Sequence, residues 1–175
     1  MTTALIAAIL ILLITLAHAA HAAVPQRTHR DTVIANLRAG LAGTPMAGSE
    51  MALERVARRW GISPYFIIGV SGKESSLGAY ACRRNPKNIW GLKSCRTGPY
   101  IDVDHDGDID HLPTFRTWGH AYTWFARYVL DRQPHARTPY DFRGYCECDE
   151  RQWADVVAHT MRRLFGVGPN VRYGR

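Results

Sequence analysis

The segment Ser63-Pro64-Tyr-Phe-Ile-Ile-Gly-Val-Ser-Gly-Lys-Glu74-Ser75-Ser76-Leu77-Gly78 constrains the fold more than any other part of the chain. Ser63 before Pro64 is a helix start, with serine as N-cap and proline at the first helical position, and Gly78 is a stop. The sequence between them predicts an apolar helix carrying one carboxylate. Counting back from Glu74 at helical spacing meets Ser71, Val70 and Ile67, so the acid shares its stripe with apolar residues. Leu77 and Gly78 stand three and four positions after it, and Lys73, adjacent in sequence, is expected to face elsewhere. A carboxylate placed so, near the negative end of its helix and without a cationic neighbour, is expected to have a raised pKa. A general acid at neutral pH needs that property. By itself the spacing fits better a glutamate that frays into solvent at a helix end.

The chain has 175 residues, enough for one domain with a core of its own. Ala4 to Leu16 is almost wholly apolar, and Ala17-His18-Ala19 and Ala20-His21-Ala22 both satisfy the small-x-small cleavage rule, so residues 1–23 read as a secretory signal peptide. The n-region has no Lys or Arg. Retained, Ala4 to Val24 is long enough to span a bilayer and would act as an anchor. Either way the remainder is expected in the periplasm, in the cell envelope or secreted. The first basic residue is Arg27, so the whole net charge of +7 belongs to that remainder. Such a charge suits an anionic partner such as a bacterial wall, and serves solubility equally well. Nucleic acid is not expected, because the arginines are scattered through predicted helices without a basic-aromatic reader motif.

Elsewhere the pattern is mostly helical. Asp31 to Leu41 is a short helix; Ser49 to Trp60 is amphipathic, with Met51, Val56 and Trp60 as candidate core. Thr117 caps a helix to about Arg132, with the stripe Trp118, Tyr122, Phe125 and Val129. Asp149 caps the last helix, to about Phe165, and Gly166 to Arg175 reads as a loose tail. Four cysteines in an exported chain suggest two disulfides. Cys82 with Cys95 would close a loop; Cys146 with Cys148 would make a small strained ring. All three connectivities stay open, and neither pair has the spacing of a zinc site.

Tyr100 to Phe115 is predicted as a β-hairpin, because Asp106-Gly107 is a two-residue turn signal between Ile101, Val103, Ile109 and Leu112. Within it Asp102, Asp104, Asp106 and Asp110 fall at positions one, three, five and nine of a calcium loop, Gly107 at six, with Asp108 between. Pro113 stands where the bidentate glutamate belongs. Calcium is therefore the one ion these aspartates suggest, and a solvated acidic turn fits the pattern slightly better.

Lys73-Glu74-Ser75-Ser76-Leu77-Gly78 on a helix, then Asn88-Ile-Trp90-Gly91-Leu92, an acidic hairpin, and Phe115-Arg-Thr-Trp118 opening another helix resemble the lysozyme-like superfamily of peptidoglycan-cleaving enzymes. Within it the likeness is to endo-β-N-acetylglucosaminidases and soluble lytic transglycosylases, over Ser49 to Leu164. The resemblance implies an α+β, mostly α, fold: a lysozyme-like catalytic domain over 47–166 with a small β-hairpin beside its cleft. It follows an extension with a short helix (24–46) and precedes a tail (167–175). The resemblance also implies Glu74 as catalytic acid, Ser75, Ser76 and Gly78 as the turn that holds it, and Asn88, Trp90 and Gly91 as cleft lining. Gly91-Leu92-Lys93-Ser94 replaces the Gly-Leu-Met-Gln of typical transglycosylases, which favours the glucosaminidase side.

Hydrolysis with inversion needs a second carboxylate, about 6.5–9.5 Å from the acid, and Asp102 and Asp104 are the candidates. Without one, Glu74 acts alone and yields anhydro ends, as the transglycosylases do. Trp90, Tyr100, Tyr140 and Tyr145 could stack on sugars, though each such residue is more often core; Tyr145 resembles a tyrosine that transglycosylases carry before a late helix. The expected partner is the peptidoglycan glycan strand, with no cofactor required and the membrane involved only if the leader is uncleaved. A non-catalytic glycan-binding module and a calcium-dependent structural domain are the competing classes.

Overall fold

A computed structural model of the chain describes residues 28–81, 83, 86–91, 99–101, 110–111, 114–145, 148–171 and 173, with only the backbone described at 99–101 and 110–111. The predicted leader, the aspartates from Asp102 to Asp108, and Cys82, Cys95 and Cys146 lie outside these residues. Cys148 is disulfide-bonded. Two units divide the chain, Met1–Asp31 and Thr32–Arg175. In the first, Asp31 accepts the Thr28 hydroxyl (2.7 Å) and N–H (3.2 Å).

The second unit is built on a helix that has no solvent face in its first two turns. Helix α3 (Pro64–Ser75) buries every residue from Pro64 to Ser71, which is how a helix apolar all round must be used in a globular domain. Burying one such Ile or Phe side chain contributes roughly 1.5–3 kcal/mol. Around it lie α1 (His29–Leu41), α2 (Glu50–Trp60), α4 (Trp118–Arg132) and α5 (Glu150–Phe165). Val33, Leu37 and Leu41 of α1, at a spacing of four, enter the same core.

The tightest approach is between α3 and α5. A Cβ added at Gly72 would fall 2.5 Å from Thr160 Cγ2, and one at Gly69 would fall 2.9 Å from Met161 Cγ. No side chain fits at either position, so α5 can lie against the α3 backbone and bring Trp153 alongside the end of α3.

The helix boundaries follow their caps. Thr117 Oγ1 accepts the His120 N–H (3.2 Å) at the head of α4, and Asp149 Oδ1 accepts the Gln152 N–H (3.0 Å) at the head of α5. Ser63 makes no side-chain cap bond, and Pro64 alone marks the start of α3. Of the expected α2 core, Val56 is buried but Met51 points to solvent. The expected loose tail is anchored at its end: Tyr173 is buried and its hydroxyl donates to Glu54 Oε1 at 2.8 Å.

The expected α+β class with a β-hairpin beside a cleft is corrected. Helices make the described domain, five of them. The extended backbone consists of β1 (Pro99–Ile101) and β2 (Asp110–His111), two short stretches paired antiparallel with a register shift. That is too little to form a sheet layer or to bury a face, which takes three or more strands or a helix packed on them. The turn signal at Asp106-Gly107 is a local preference and lies outside the described residues. The domain is therefore all-helical in class.

Candidate active site

Helix α3 ends abruptly behind Glu74. Ser76 (φ 48°) and Leu77 (φ 60°) are left-handed, the only such non-glycine residues among those described, and Gly78 (φ 87°) continues the turn. Each non-glycine residue held there costs of order 1 kcal/mol. Ser75 holds the turn in place. Its hydroxyl donates to the Ile89 carbonyl (2.6 Å) and accepts the Gly78 N–H (2.9 Å), while the Leu77 N–H reaches Ser71 O (3.2 Å). One side chain thus ties the Ser-Ser-x-Gly break to the Asn-Ile-Trp-Gly segment. Ser75 is buried, so its work is positioning, not contact with a ligand.

Asn88 and Trp90 lie inside as well. The Trp90 ring stacks on Phe125 (4.5 Å between centroids, 9° between planes), and its Nε1 donates to Ile67 O at 3.1 Å. Trp90 is a core residue, and the cleft-lining role implied for its side chain does not hold. Its carbonyl does face the site, where it accepts the Tyr145 hydroxyl. The next residue, Gly91 (φ 70°), is exposed and passes close to the acid: a Cβ there would lie 3.5 Å from both Cβ and Oε2 of Glu74. A larger residue would crowd the carboxylate and meet a strained φ as well.

Glu74 itself is one-fifth exposed, and its two oxygens differ. Oε1 accepts the indole N–H of Trp153 at 2.9 Å and lies 3.6 Å from Lys73 Nζ. Oε2 has no hydrogen bond among the described residues. The expectation that Lys73 faces elsewhere, and that no cation attends Glu74, is thereby overturned. At the last turn of a helix a long side chain can swing round to its neighbour. Trp153 is the residue the sequence did not reveal: it is buried on α5, far along the chain, and packs its ring 5.0 Å from that of Tyr145.

Tyr145 stands beside Trp153, whose indole holds Glu74. Burial pushes its phenol well above the ordinary tyrosine range, with the charge of Glu74 and then Tyr128 adding to the effect. It remains a neutral donor through the physiological range. The remaining sequence candidates are not placed: Asp102, Asp104, Asp106 and Asp108 lie outside the described residues, and Asp110 and Tyr100 are described in backbone only. Among the described residues no group of three or more His, Cys, Asp or Glu side chains could hold a metal ion, and no helix is long and apolar enough to cross a membrane. Neither protein-family models nor curated proteins nor solved structures give any match to this chain.

Proposed function

We propose that the protein is an exported glycosidase that cleaves β-1,4 bonds of peptidoglycan strands, with Glu74 as general acid. One observation carries the reading: a partly exposed carboxylate at the end of a buried helix has one oxygen fixed by a buried indole and the other unbonded among the described residues. A general acid needs a fixed orientation and a free oxygen from which to deliver its proton. In the proposed reaction Oε2–H protonates the glycosidic oxygen as the C1–O bond breaks, and water attacks the oxocarbenium-like carbon. Asp102 or Asp104 is the proposed base that takes the proton from that water. The strained turn after Glu74 supports the reading too, because such backbone concentrates at functional sites. The similarity of its motifs to those of lysozyme-like glucosaminidases supplies the substrate class.

The test is to incubate the exported chain and its Glu74→Gln variant with purified peptidoglycan and to identify new ends by mass spectrometry. Reducing N-acetylglucosamine ends from the parent alone are expected. Anhydro ends would replace the water step by intramolecular attack with Glu74 acting alone. Release of neither, by a protein shown to be folded, would leave the domain a glycan-binding module and defeat the proposal.

A further inference from the structure

Behind the aromatic residues that flank Glu74, the stretch from Gln133 to Arg143 after α4 forms a loop with a hollow. Gln133 locks the loop ends together: its Nε2 donates to Arg143 O (3.0 Å) and its Oε1 accepts the Arg143 N–H (3.1 Å). The hollow, open to solvent, holds about 550 Å³ and is lined by Arg132, Gln133, His135, Tyr140, Asp141 and Arg143 among others. A smaller one, about 290 Å³, shares Tyr140 and Arg143 and continues to Glu150 and Arg151.

The charges in this wall do not balance. Asp141 is used by the loop itself, its Oδ2 accepting the Arg137 N–H (3.1 Å), the Thr138 N–H (2.9 Å) and the Thr138 hydroxyl (2.9 Å). Arg143 has Glu150 at 3.2 Å, and Arg151 has Asp155 at 3.7 Å. Arg132 has neither an ion pair nor a hydrogen bond among the described residues, and its Nε is buried without a partner. Its one contact of note is the Tyr128 ring, 4.7 Å from the guanidinium carbon. A guanidinium cannot shed its charge by deprotonation, and a buried N–H without an acceptor is disfavoured. Its fork of donors matches an oxyanion.

We propose that this hollow binds an oxyanion, a carboxylate or a phosphate, through Arg132, with Arg143 as the second cation at its rim. Phe142 lines the smaller hollow and packs 5.7 Å from Tyr145 and 6.2 Å from Trp153, the ring that holds Glu74. One aromatic layer therefore connects the anion site to the Glu74 end of α3. A polymer with negative substituents could be gripped there and presented to the acid. Binding itself does not rest on the cleavage proposed for Glu74.

The test uses the whole exported chain at low salt, titrated separately with inorganic phosphate, with a tripeptide bearing a free C-terminal carboxylate, and with its C-terminal amide. Calorimetry gives affinity, and the Arg132 Nε–H resonance reports the site directly. Phosphate or the free-acid peptide is expected to bind and to shift that resonance, and the amide is not. Phosphate binding alone identifies phosphate esters as the source, and peptide binding identifies peptide carboxylates. Arg132→Gln should weaken binding about tenfold, the loss of one charged hydrogen-bonding partner. Arg143→Gln, at an exposed side chain that leaves the fold undisturbed, should weaken it about twofold to threefold. No binding by either anion at millimolar concentration, or equal binding by the parent and both variants, overturns the site.

Discussion

Two glutamates on neighbouring helices show what separates a structural carboxylate from a candidate catalytic one. Glu54, on α2, is fully buried, and its Oε1 takes both Arg58 Nε (3.2 Å) and the Tyr173 hydroxyl (2.8 Å). Glu74, at the end of α3, is fixed through Oε1 by Trp153 and Lys73; its side chain is partly exposed, and Oε2 has no hydrogen bond among the described residues. Both are oriented by partners on distant parts of the chain. The difference is solvent: a substrate can reach one and not the other. Orientation alone therefore does not mark a site; orientation with an open oxygen does.

Exchanging each acid for its amide is the strongest way to break that comparison. Glu74→Gln should reduce release of soluble fragments from peptidoglycan by about 10²–10⁴-fold, the usual contribution of a general acid, with unfolding free energy changed by no more than about 0.5 kcal/mol. Glu54→Gln should do the reverse, lowering stability by about 1–3 kcal/mol through imperfectly replaced buried hydrogen bonds while turnover per folded molecule stays that of the parent. Denaturant melts and a dye-release assay on both variants check the pair. Equal activity losses would mean that Glu74 does no more than Glu54.

The comparison also marks how far the sequence could be read. The caps at Thr117 and Asp149 are short-range signals, and they place α4 and α5 to within a residue. Glu74 at the end of an apolar helix is legible for the same reason. What surrounds it is not. Trp153 meets Glu74 only because Gly69 and Gly72 let α5 approach, a tertiary fact that no local spacing encodes. Tyr173 defeats the reading of a loose tail because a single buried hydroxyl leaves no periodic pattern. Trp90 shows the opposite error: a motif taken for cleft lining is filled by a core ring, and only the carbonyl beside it reaches the site.

Alkaline pH separates the Glu74 surroundings from the rest by a smaller margin. Burial raises the phenols of Tyr65, Tyr122, Tyr128 and Tyr145 above the ordinary tyrosine value of about 10. In the unfolded chain these groups ionise near that value, while the folded chain keeps the protons. The unfolded state then binds fewer protons, so stability is complete below about pH 10 and falls as pH rises toward the folded pKa values, by up to about 1.4 kcal/mol per pH unit for each group. Thermal melts from pH 8 to 11 should show that decline, with no contribution from these groups below pH 9. Tyr145→Phe should remove one group's share of the slope. Glu74→Gln should leave the slope nearly intact, because burial is the larger cause of the Tyr145 shift and the Glu74 charge the lesser one. A loss of slope by Glu74→Gln as large as that by Tyr145→Phe would reverse that ranking.

The smallest expected effect tests the Glu54 side. Tyr173→Phe keeps the buried ring and removes only the hydroxyl that donates to Glu54 Oε1. A hydrogen bond to a charged group contributes about 1.5–3 kcal/mol net, and the remaining Arg58 contact offsets part of its loss, so about 1 kcal/mol is expected. Denaturant unfolding at neutral pH would resolve it as a shift in midpoint without a change in slope. Amide exchange in residues 166–171 should quicken in the same variant, because the bond that fixes the chain end to α2 is gone. Peptidoglycan cleavage should not respond at all. A change in cleavage would mean that the buried acid and the exposed one are coupled through α2 and α3, and that the line drawn between them is in the wrong place.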